Sequence, residues 1–284
     1  MSDWNAWIGR EVRQEDRLDA ALARRWCATF DLPYSGGGAM PQGIHFCLCT
    51  PEAATAMLAN DGHPRREKGQ DSFLPPLPLP RRMWAGSKIV FHRAIAIGDA
   101  IARTSRIASI SQKDGSGGRL AFVEIDHATR ANEELAVEER QTLVYREAAP
   151  LDARISPPDS SGPSFDPAGW DAHRRLTPDA RLLFRYSALT FNAHRIHYDL
   201  PYARDVEGYR GLVVHGPLTA SLLLQLVDTQ FGSNRLASFA FRGLSPAVAG
   251  EPLHLVMRGA GDCMELAAFA EDGRLITKAE AVLR

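Results

Sequence analysis

The chain has 284 residues, of which 45% are hydrophobic, and its 33 Lys and Arg against 34 Asp and Glu leave a formal net charge of -1. This length exceeds that of a usual single domain and predicts two domains of about 130 to 150 residues. A near-neutral chain offers no basic surface for nucleic acid or an anionic membrane, so the composition excludes both as expected partners and favours a small molecule.

The sequence predicts a cytoplasmic protein. Its longest apolar run, Pro217 to Val227, is about half of the roughly 20 residues that a membrane span needs. The first residues, MSDWNAWIGREVRQEDR, carry charges of both signs and lack the apolar core of a secretory signal. Four cysteines lie scattered along the chain, at Cys27, Cys47, Cys49 and Cys263. Reduced structural thiols are therefore expected rather than a disulfide or a zinc site.

The N-terminal half begins with two predicted helices, about Glu15 to Phe30 and Pro51 to Asn60, the second capped by Thr50 and ending near Gly62. Between them, the alternating segment IHFCLC predicts a strand. The four prolines of SFLPPLPLPRRMW cannot donate regular ladder bonds, which predicts an extended covering loop, with a proline-recognition ligand as the alternative. Three or four segments rich in Ile, Val and Thr follow, divided by KDGSGG and RANEE, and predict an antiparallel meander.

Residues 150–169, PLDARISPPDSSGPSFDPAG, have no apolar periodicity and predict a linker between an N-terminal unit, 1–149, and a C-terminal unit, 170–284. In the second unit, ARLLFRYSALT predicts a strand, residues 216–230 a helix, and four further segments predict strands. The helix is apolar almost all round, which requires a sheet wrapped around it. Both halves thus predict an α+β unit with an antiparallel sheet around a central helix, packed together as a pseudo-dimer.

A polar cluster precedes this apolar helix, in the stretch TFNAHRIH. Asn192 and His197 stand five residues apart, and an irregular turn there would let both side chains converge on a single water. Asp199, which is followed by Pro201, is typical of a helix N-cap.

The segment VVHGPL then leads into the helix through Gly216. Glycine permits close approach of a ligand to the backbone, and Pro217 suits a first helical turn. An unpaired amide there would polarise a thioester carbonyl, since the aligned backbone dipoles favour negative charge on its oxygen. A glycine needed only for close packing is the equal alternative.

These residues resemble the motif of the MaoC-like, R-specific enoyl-CoA hydratase family of hot-dog folds, which reads roughly Ser-Gly-Asp-x-Asn-Pro-Ile-His and is followed by a helix that begins with His-Gly. The matching positions here are Thr190 to His197, then His215 and Gly216. The chain departs from the pattern at Asn192, where the family usually has a catalytic aspartate. FNAHRIHYD and the upstream PLPRRMWAGSKIVFHRAIAIGD resemble more specifically the branch of mesaconyl-C4-CoA (3-methylfumaryl-CoA) hydratases and mitochondrial-type 3-hydroxyacyl dehydratases.

The resemblance implies a double hot-dog hydro-lyase in which only the C-terminal unit keeps the catalytic motif. It would add water reversibly to an α,β-unsaturated acyl-CoA thioester, most plausibly mesaconyl-C4-CoA or a related C5 dicarboxylyl-CoA, without a cofactor. Two polar residues would hold the water, and the amide at Gly216 would stabilise the enolate-like oxygen. Because an amide cannot take a proton at neutral pH, we predict that His197 is the sole general acid/base and that Asn192 orients the water.

Further residues have two interpretations each. Arg195 would hold the free carboxylate of a dicarboxylic acyl group bidentately, or is a surface arginine. Trp84 would wall the acyl pocket, or is a core aromatic. His215 is a candidate substrate contact or a structural residue at the start of the helix. His194, His197 and His215 would also form a three-imidazole metal site, but no acidic residue completes it and no metal is predicted.

Other functions remain as alternatives. A 3-hydroxyacyl-ACP or acyl-CoA dehydratase of fatty-acid metabolism would use the same chemistry on a longer chain. A hot-dog thioesterase would instead need a carboxylate or glutamine at the carbonyl and would release free thiol, and an acyl-CoA-binding protein would not turn its ligand over. The sequence is compatible with a monomer and with a homodimer of double units.

Overall fold

The computed structural model describes residues 4–66, 72–115, 118–147 and 164–284. Within these described residues, each half of the chain contains five strands. The N-terminal half comprises β1 (Glu11–Arg17), α1 (Ala20–Thr29), β2 (Arg81–Phe91), β3 (Ala100–Gly115), β4 (Gly118–Ala131) and β5 (Glu134–Arg146). The C-terminal half comprises β6 (Ala172–Leu176), α2 (Ala180–Leu189), α3 (Gly216–Phe231), β7 (Leu236–Gly243), β8 (Leu253–Ala260), β9 (Cys263–Ala270) and β10 (Leu275–Leu283). No helix in this described part of the chain is long and apolar enough to cross a membrane.

The ten strands form one antiparallel sheet in the order β1-β3-β4-β5-β2-β7-β10-β9-β8-β6. Read from either edge inward, the two halves have the same strand order, so the fold is a duplicated unit. The predicted meander is confirmed, because β3, β4 and β5 are consecutive neighbours. The two halves meet where β2 pairs with β7. At that seam a Cβ on Gly86 would overlap the Phe241 carbonyl, so the close approach of the two strands requires glycine there.

The predicted central helix is confirmed as α3, which runs from Gly216 to Phe231 with all residues from Leu218 to Val227 buried. It packs against β8, β9, β10 and β2. Residues of the N-terminal half also contact α3. Gly43, for example, lies so close to Leu224 that a Cβ added to Gly43 would be 3.2 Å from the Leu224 side chain. A single hydrophobic core therefore joins both halves around α3.

Several local predictions are wrong. ARLLFRYSALT forms helix α2 rather than a strand, because the Asp179 carboxylate caps its first turn by accepting from Leu182 N–H at 3.0 Å. The helix predicted from Glu15 begins only at Ala20, after a sheet-edge strand, and its N-cap is Asp19.

Two further segments differ from prediction. IHFCLC forms a 3-10 turn, Ile44–Cys47, after Gly43 turns the chain with φ 105°. Residues 51–60 contain one short 3-10 turn, Thr55–Met57, instead of a helix. The four cysteines are free thiols, as predicted. Most of the predicted linker, 150–163, lies outside the described residues, and 164–169 form a loop before β6.

Candidate active site

The predicted pair Asn192 and His197 lies in the connection between α2 and α3. Phe191 has φ 48°, and the next N–H, that of Asn192, donates to the Ser187 carbonyl at 2.9 Å. A left-handed residue with such a bond is a common way to end a helix. One 3-10 turn, Arg195–His197, then carries the imidazole of His197 into the interior, where it is 7% exposed.

The same turn follows α1 in the N-terminal half. Asp31 has φ 55°, and Leu32 N–H donates to the Cys27 carbonyl at 2.9 Å. Leu32 thus occupies the position that Asn192 has in the C-terminal half, and Cys27 occupies that of Ser187. The duplicated turn of the N-terminal half therefore carries no polar group at the position of Asn192.

His197 is held in one tautomer. Its Nδ1 lies 2.7 Å from the carbonyl oxygen of Val213. A carbonyl only accepts hydrogen bonds, so Nδ1 carries the proton and Nε2 of the neutral ring is an acceptor. Burial lowers the pKa of His197 to about 4, although the bond to Val213 opposes this shift. At neutral pH the ring is therefore uncharged and Nε2 is available as a base.

His215 stacks on the ring of His197. It is 2% exposed, and its ring stacks on that of His197 with centroids 3.5 Å apart and planes at 19°. His215 Nε2 shares a hydrogen bond of 2.9 Å with Ser187 Oγ. Burial, followed by the neighbouring imidazoles, lowers the pKa of His215 well below its ordinary value. Two stacked neutral imidazoles thus form the wall of the site at the start of α3.

Gly216 begins α3 and Pro217 follows in the first turn. Thr219 N–H makes the first bond of the helix, to the His215 carbonyl at 3.1 Å, so the earlier amides have no partner within the helix. A Cβ on Gly216 would meet only the Trp84 carbonyl, at the ordinary distance of 3.6 Å. Packing does not require glycine here, which favours the interpretation that a ligand approaches this backbone.

Trp84 lies at this site as part of β2, so the N-terminal half contributes to it. Its indole N–H donates to Ser87 Oγ at 2.9 Å and lies 3.2 Å from the Gly86 carbonyl. The ring contacts those of Phe46, at 5.5 Å, and Phe241, at 6.3 Å. The half-buried indole is thus rigidly held beside the start of α3 and has an aromatic environment.

The guanidinium of Arg195 is already occupied by hydrogen bonds within the protein. Its Nε and one Nη donate to the same oxygen of Asp199, at 2.9 and 2.7 Å, and the other Nη donates to the Asn60 carbonyl at 3.0 Å. The guanidinium also lies over the ring of Tyr202, 4.1 Å from its centroid. A bidentate contact with a substrate carboxylate would require this ion pair to open. The predicted capping role of Asp199 is confirmed, because its other oxygen accepts from Tyr202 N–H at 3.1 Å.

Sequence reasoning missed a turn of the N-terminal half, residues 59–64, that packs directly on the motif. The Asp61 carbonyl accepts from Arg195 N–H at 2.8 Å. Gly62 has φ +90°, and a Cβ there would overlap the Ala193 carbonyl. The His63 ring lies 4.0 Å from that of His194. The only sequence signal was Asp-Gly-His, which is typical of a turn and gives no hint of its distant partner.

The imidazoles do not group as the metal hypothesis required. His197 and His215 are bonded to Val213 and Ser187. Among the described residues, the group of possible ligands whose atoms lie within 4.8 Å of one another is Asp61, His63 and His194.

The duplicated antiparallel sheet around a central helix is the architecture of a double hot-dog protein. Comparison with known proteins identifies the family. Residues 43–249 match the family described as hydroxyacyl-thioester dehydratase type 2. The chain belongs to this family of enzymes, which are hydratases and dehydratases of acyl thioesters.

Individual proteins agree with this assignment. The chain is 43% identical over 277 residues to the mesaconyl-C(4)-CoA hydratase of Chloroflexus aurantiacus, covering 96% of this chain and 95% of that protein. Among solved structures, a MaoC-like dehydratase superposes with a TM-score of 0.72 at 17% identity, covering 99% of each chain. A Mycobacterium tuberculosis protein described as having a double hotdog fold superposes with a TM-score of 0.56 at 13% identity, covering 97% of this chain and 96% of that one. The predicted double hot-dog fold is confirmed.

Proposed function

We propose that this enzyme reversibly adds water to mesaconyl-C4-CoA or a related C5 dicarboxylyl-CoA. The observation that carries the chemistry is His197, whose Nδ1 is committed to Val213 and whose Nε2 is a neutral base at the start of α3. The similarity to the Chloroflexus hydratase, which spans nearly both chains, supports the acyl group. We assign the catalytic motif to the C-terminal unit, since Leu32 stands at the matching position of the N-terminal one.

In the hydration direction, His197 Nε2 takes a proton from water while the water oxygen attacks the β-carbon. The electron pair of the double bond moves into the thioester, and negative charge develops on the carbonyl oxygen. The Gly216 amide donates to that oxygen, where the helix dipole also favours negative charge. His197 then returns its proton to the α-carbon. Atoms and charge balance within this one site, so the proposal assigns no redox cofactor.

The remaining predicted residues orient the reactants. Asn192 would hold the water through its amide group, one lone pair of which already accepts from His194 N–H at 3.0 Å. Trp84 would wall the acyl pocket. Because His215 is buried, it would act mainly by keeping the His197 ring in place. Its own contact with substrate would be confined to the edge of the His215 ring.

A second candidate is the dehydration of a longer 3-hydroxyacyl thioester, which the description of the matching family favours. The chemistry at His197 would be the reverse of that above. The two functions differ in the acyl group, and therefore substrate preference separates them.

The test follows loss of the conjugated enoyl-thioester ultraviolet band with mesaconyl-C4-CoA, crotonyl-CoA and a long-chain 2-enoyl-CoA. We expect fast loss with mesaconyl-C4-CoA and none in His197→Ala. His92→Ala, at an exposed histidine paired with Glu138, is the matched control and should keep wild-type turnover. Because the pKa of His197 is lowered to about 4, kcat/KM should stay flat from pH 7.5 to 5.5 and fall only toward pH 4. Preference for the long chain would favour the dehydratase, and release of free thiol would indicate a thioesterase.

A further inference from the structure

The turn 59–64 holds a carboxylate and an imidazole in a fixed pair. The Gly62 N–H donates to the Ala59 carbonyl at 2.9 Å, and the Ala59 N–H donates to the His63 carbonyl at 2.8 Å. Asp61 Oδ1 accepts from the His63 N–H at 3.0 Å, and Asp61 Oδ2 lies 3.0 Å from His63 Nδ1. Since both carboxylate oxygens bond to His63, the turn fixes the position of its ring.

This pairing also fixes the tautomer of His63. Burial alone would raise the pKa of Asp61, but the bonds from His63 hold it below its usual range, so the carboxylate is ionised at neutral pH. An ionised carboxylate only accepts, hence His63 Nδ1 carries the proton. Burial, and to a smaller extent the positive charge of Arg82, lowers the pKa of His63, although Asp61 opposes this. The ring is therefore neutral and its Nε2 is a bare acceptor, as in His197.

His63 lies beside the catalytic motif. Its ring is 4.0 Å from that of His194, which in turn lies 5.4 Å from that of His197 with the planes at 88°. The turn cannot shift away easily, because Gly62 lies against the Ala193 carbonyl and Arg195 bonds to Asp61 and Asn60. The N-terminal half thus places a second oriented imidazole at the active site.

The motif itself, TFNAHRIH, contains no charged acceptor. A water that attacks carbon must direct a lone pair at it, which is easiest when both O–H groups donate to fixed acceptors. His197 Nε2 accepts one of these. Asn192 is a weaker second acceptor than a carboxylate, because its oxygen is uncharged, one of the two lone pairs of that oxygen already accepts from His194, and its nitrogen only donates.

We propose that Asp61 and His63 supply this second acceptor, and that His63 Nε2 binds the water that is added and the hydroxyl group of the product. This inference rests on the proposed function and assigns, besides Asn192, a further residue that orients the water. One water proton passes to His197, the other stays on oxygen in its bond to His63, and the oxygen lone pair forms the new C–O bond. His63 exchanges no proton, so the balance of the reaction is unchanged.

A metal held by Asp61, His63 and His194 would be another use of the same cluster. Both oxygens of Asp61 are bonded to His63, one of them to its Nδ1, so a metal would have to share that carboxylate with these two bonds. The arrangement of a carboxylate behind an imidazole therefore favours the orientation of His63 for a hydrogen bond.

The experiment compares His63→Ala, His63→Gln and Asp61→Asn with wild type, using the enoyl thioester that wild type turns over. Removing one oriented hydrogen bond from the reacting group should lower kcat about 10-fold to 100-fold in His63→Ala, with KM changed less than about twofold. Asp61→Asn no longer fixes the tautomer of His63 and should lower kcat less than His63→Ala does. Gln offers a carbonyl acceptor and should restore part of the activity.

His92→Ala is the control, because His92 Nε2 lies 2.7 Å from an oxygen of the exposed Glu138 in a similar pair near the far end of β2. Circular dichroism and thermal unfolding check that each variant folds. If His63→Ala does not fold, Asp61→Asn tests the inference instead. Wild-type kcat in His63→Ala, while His197→Ala is inactive, would overturn the inference and leave the proposed function standing. No turnover by wild type with any enoyl thioester would overturn both. One equivalent of metal in purified wild type that is lost in His63→Ala and His194→Ala would replace the water role by a metal site.

Discussion

The stacked pair His197 and His215 predicts that the protein loses stability in mild acid. Both rings are buried, 7% and 2% exposed, and burial lowers the pKa of each, to about 4 for His197. In the unfolded chain a histidine titrates near 6.5. Below that pH the unfolded state binds protons that the folded state does not, so the free energy of unfolding falls as pH drops from about 6.5 toward 4.

The size of the loss follows from the unfolded-state titration alone. Between pH 7.5 and 5.5, a histidine that stays neutral in the folded state reduces the free energy of unfolding by about 1.4 kcal/mol. The pair therefore accounts for about 3 kcal/mol, which is a substantial part of the roughly 5–15 kcal/mol typical of a folded protein. At roughly 2–4 °C per kcal/mol, the two rings lower Tm by roughly 6–12 °C over this pH interval.

The assay is thermal unfolding at pH 7.5 and 5.5 in wild type and His215→Asn. Asparagine keeps a polar partner for Ser187 but does not titrate, so the variant should lose one of the two contributions. Its change in Tm between the two pH values should be roughly 3–6 °C smaller than that of wild type. His92→Asn, at an exposed histidine, is the control for a histidine substitution outside the buried pair. Equal pH dependence in wild type and His215→Asn would refute the argument that this ring is held neutral by burial.

Three other substitutions have expected outcomes. Gly216→Ala should fold with Tm nearly unchanged, because its Cβ meets only the Trp84 carbonyl at 3.6 Å. Its kcat/KM should fall about 10-fold or more if a thioester approaches the amide of residue 216. Wild-type kinetics would mean that no ligand comes close to this amide. Gly62→Ala should displace the turn from the Ala193 carbonyl, so kcat should fall while circular dichroism stays that of a folded chain; unchanged kcat would show that the turn is not part of the site. Arg195→Leu should raise KM equally for mesaconyl-C4-CoA and crotonyl-CoA, because the guanidinium is bound to Asp199 rather than to substrate. A rise in KM for mesaconyl-C4-CoA alone would instead indicate that Arg195 binds the substrate carboxylate.

The parts of the fold that follow from local pattern could be predicted from the sequence. The meander of β3 to β5 has clear turn residues between strands, and α3 is apolar on all sides. The dense apolar residues of ARLLFRYSALT predict a strand, whereas the signal for helix α2 is its cap, Asp179, which lies just before that segment. Local pattern failed similarly for IHFCLC, whose alternation is that of a strand but whose backbone is turned by Gly43.

The candidate site divides in the same way. Asn192, His197 and Gly216 lie within one continuous segment of the chain, and their types and spacing sufficed to nominate them. The bond from His197 Nδ1 to Val213, which makes Nε2 a base, depends on how the turn folds back and has no sequence pattern. The contact of Asp61 with Arg195 joins residues more than a hundred positions apart, so only the three-dimensional structure brings it to light.

The duplication explains why the N-terminal half is able to serve the site of the other half. After the turn that matches the one containing Asn192, the N-terminal chain has no long helix in its described part and makes only the 3-10 turn Ile44–Cys47 before Thr55–Met57. Because α3 already fills the common core, the segment from 50 to 66 contributes no residue to that core. Its turn lies instead over the motif and fixes Arg195 and Ala193. A unit that has Leu32 in place of Asn192 thus still shapes the proposed active site. Deleting residues 59–64 should therefore abolish turnover of the enoyl thioester although the proposed catalytic motif is intact.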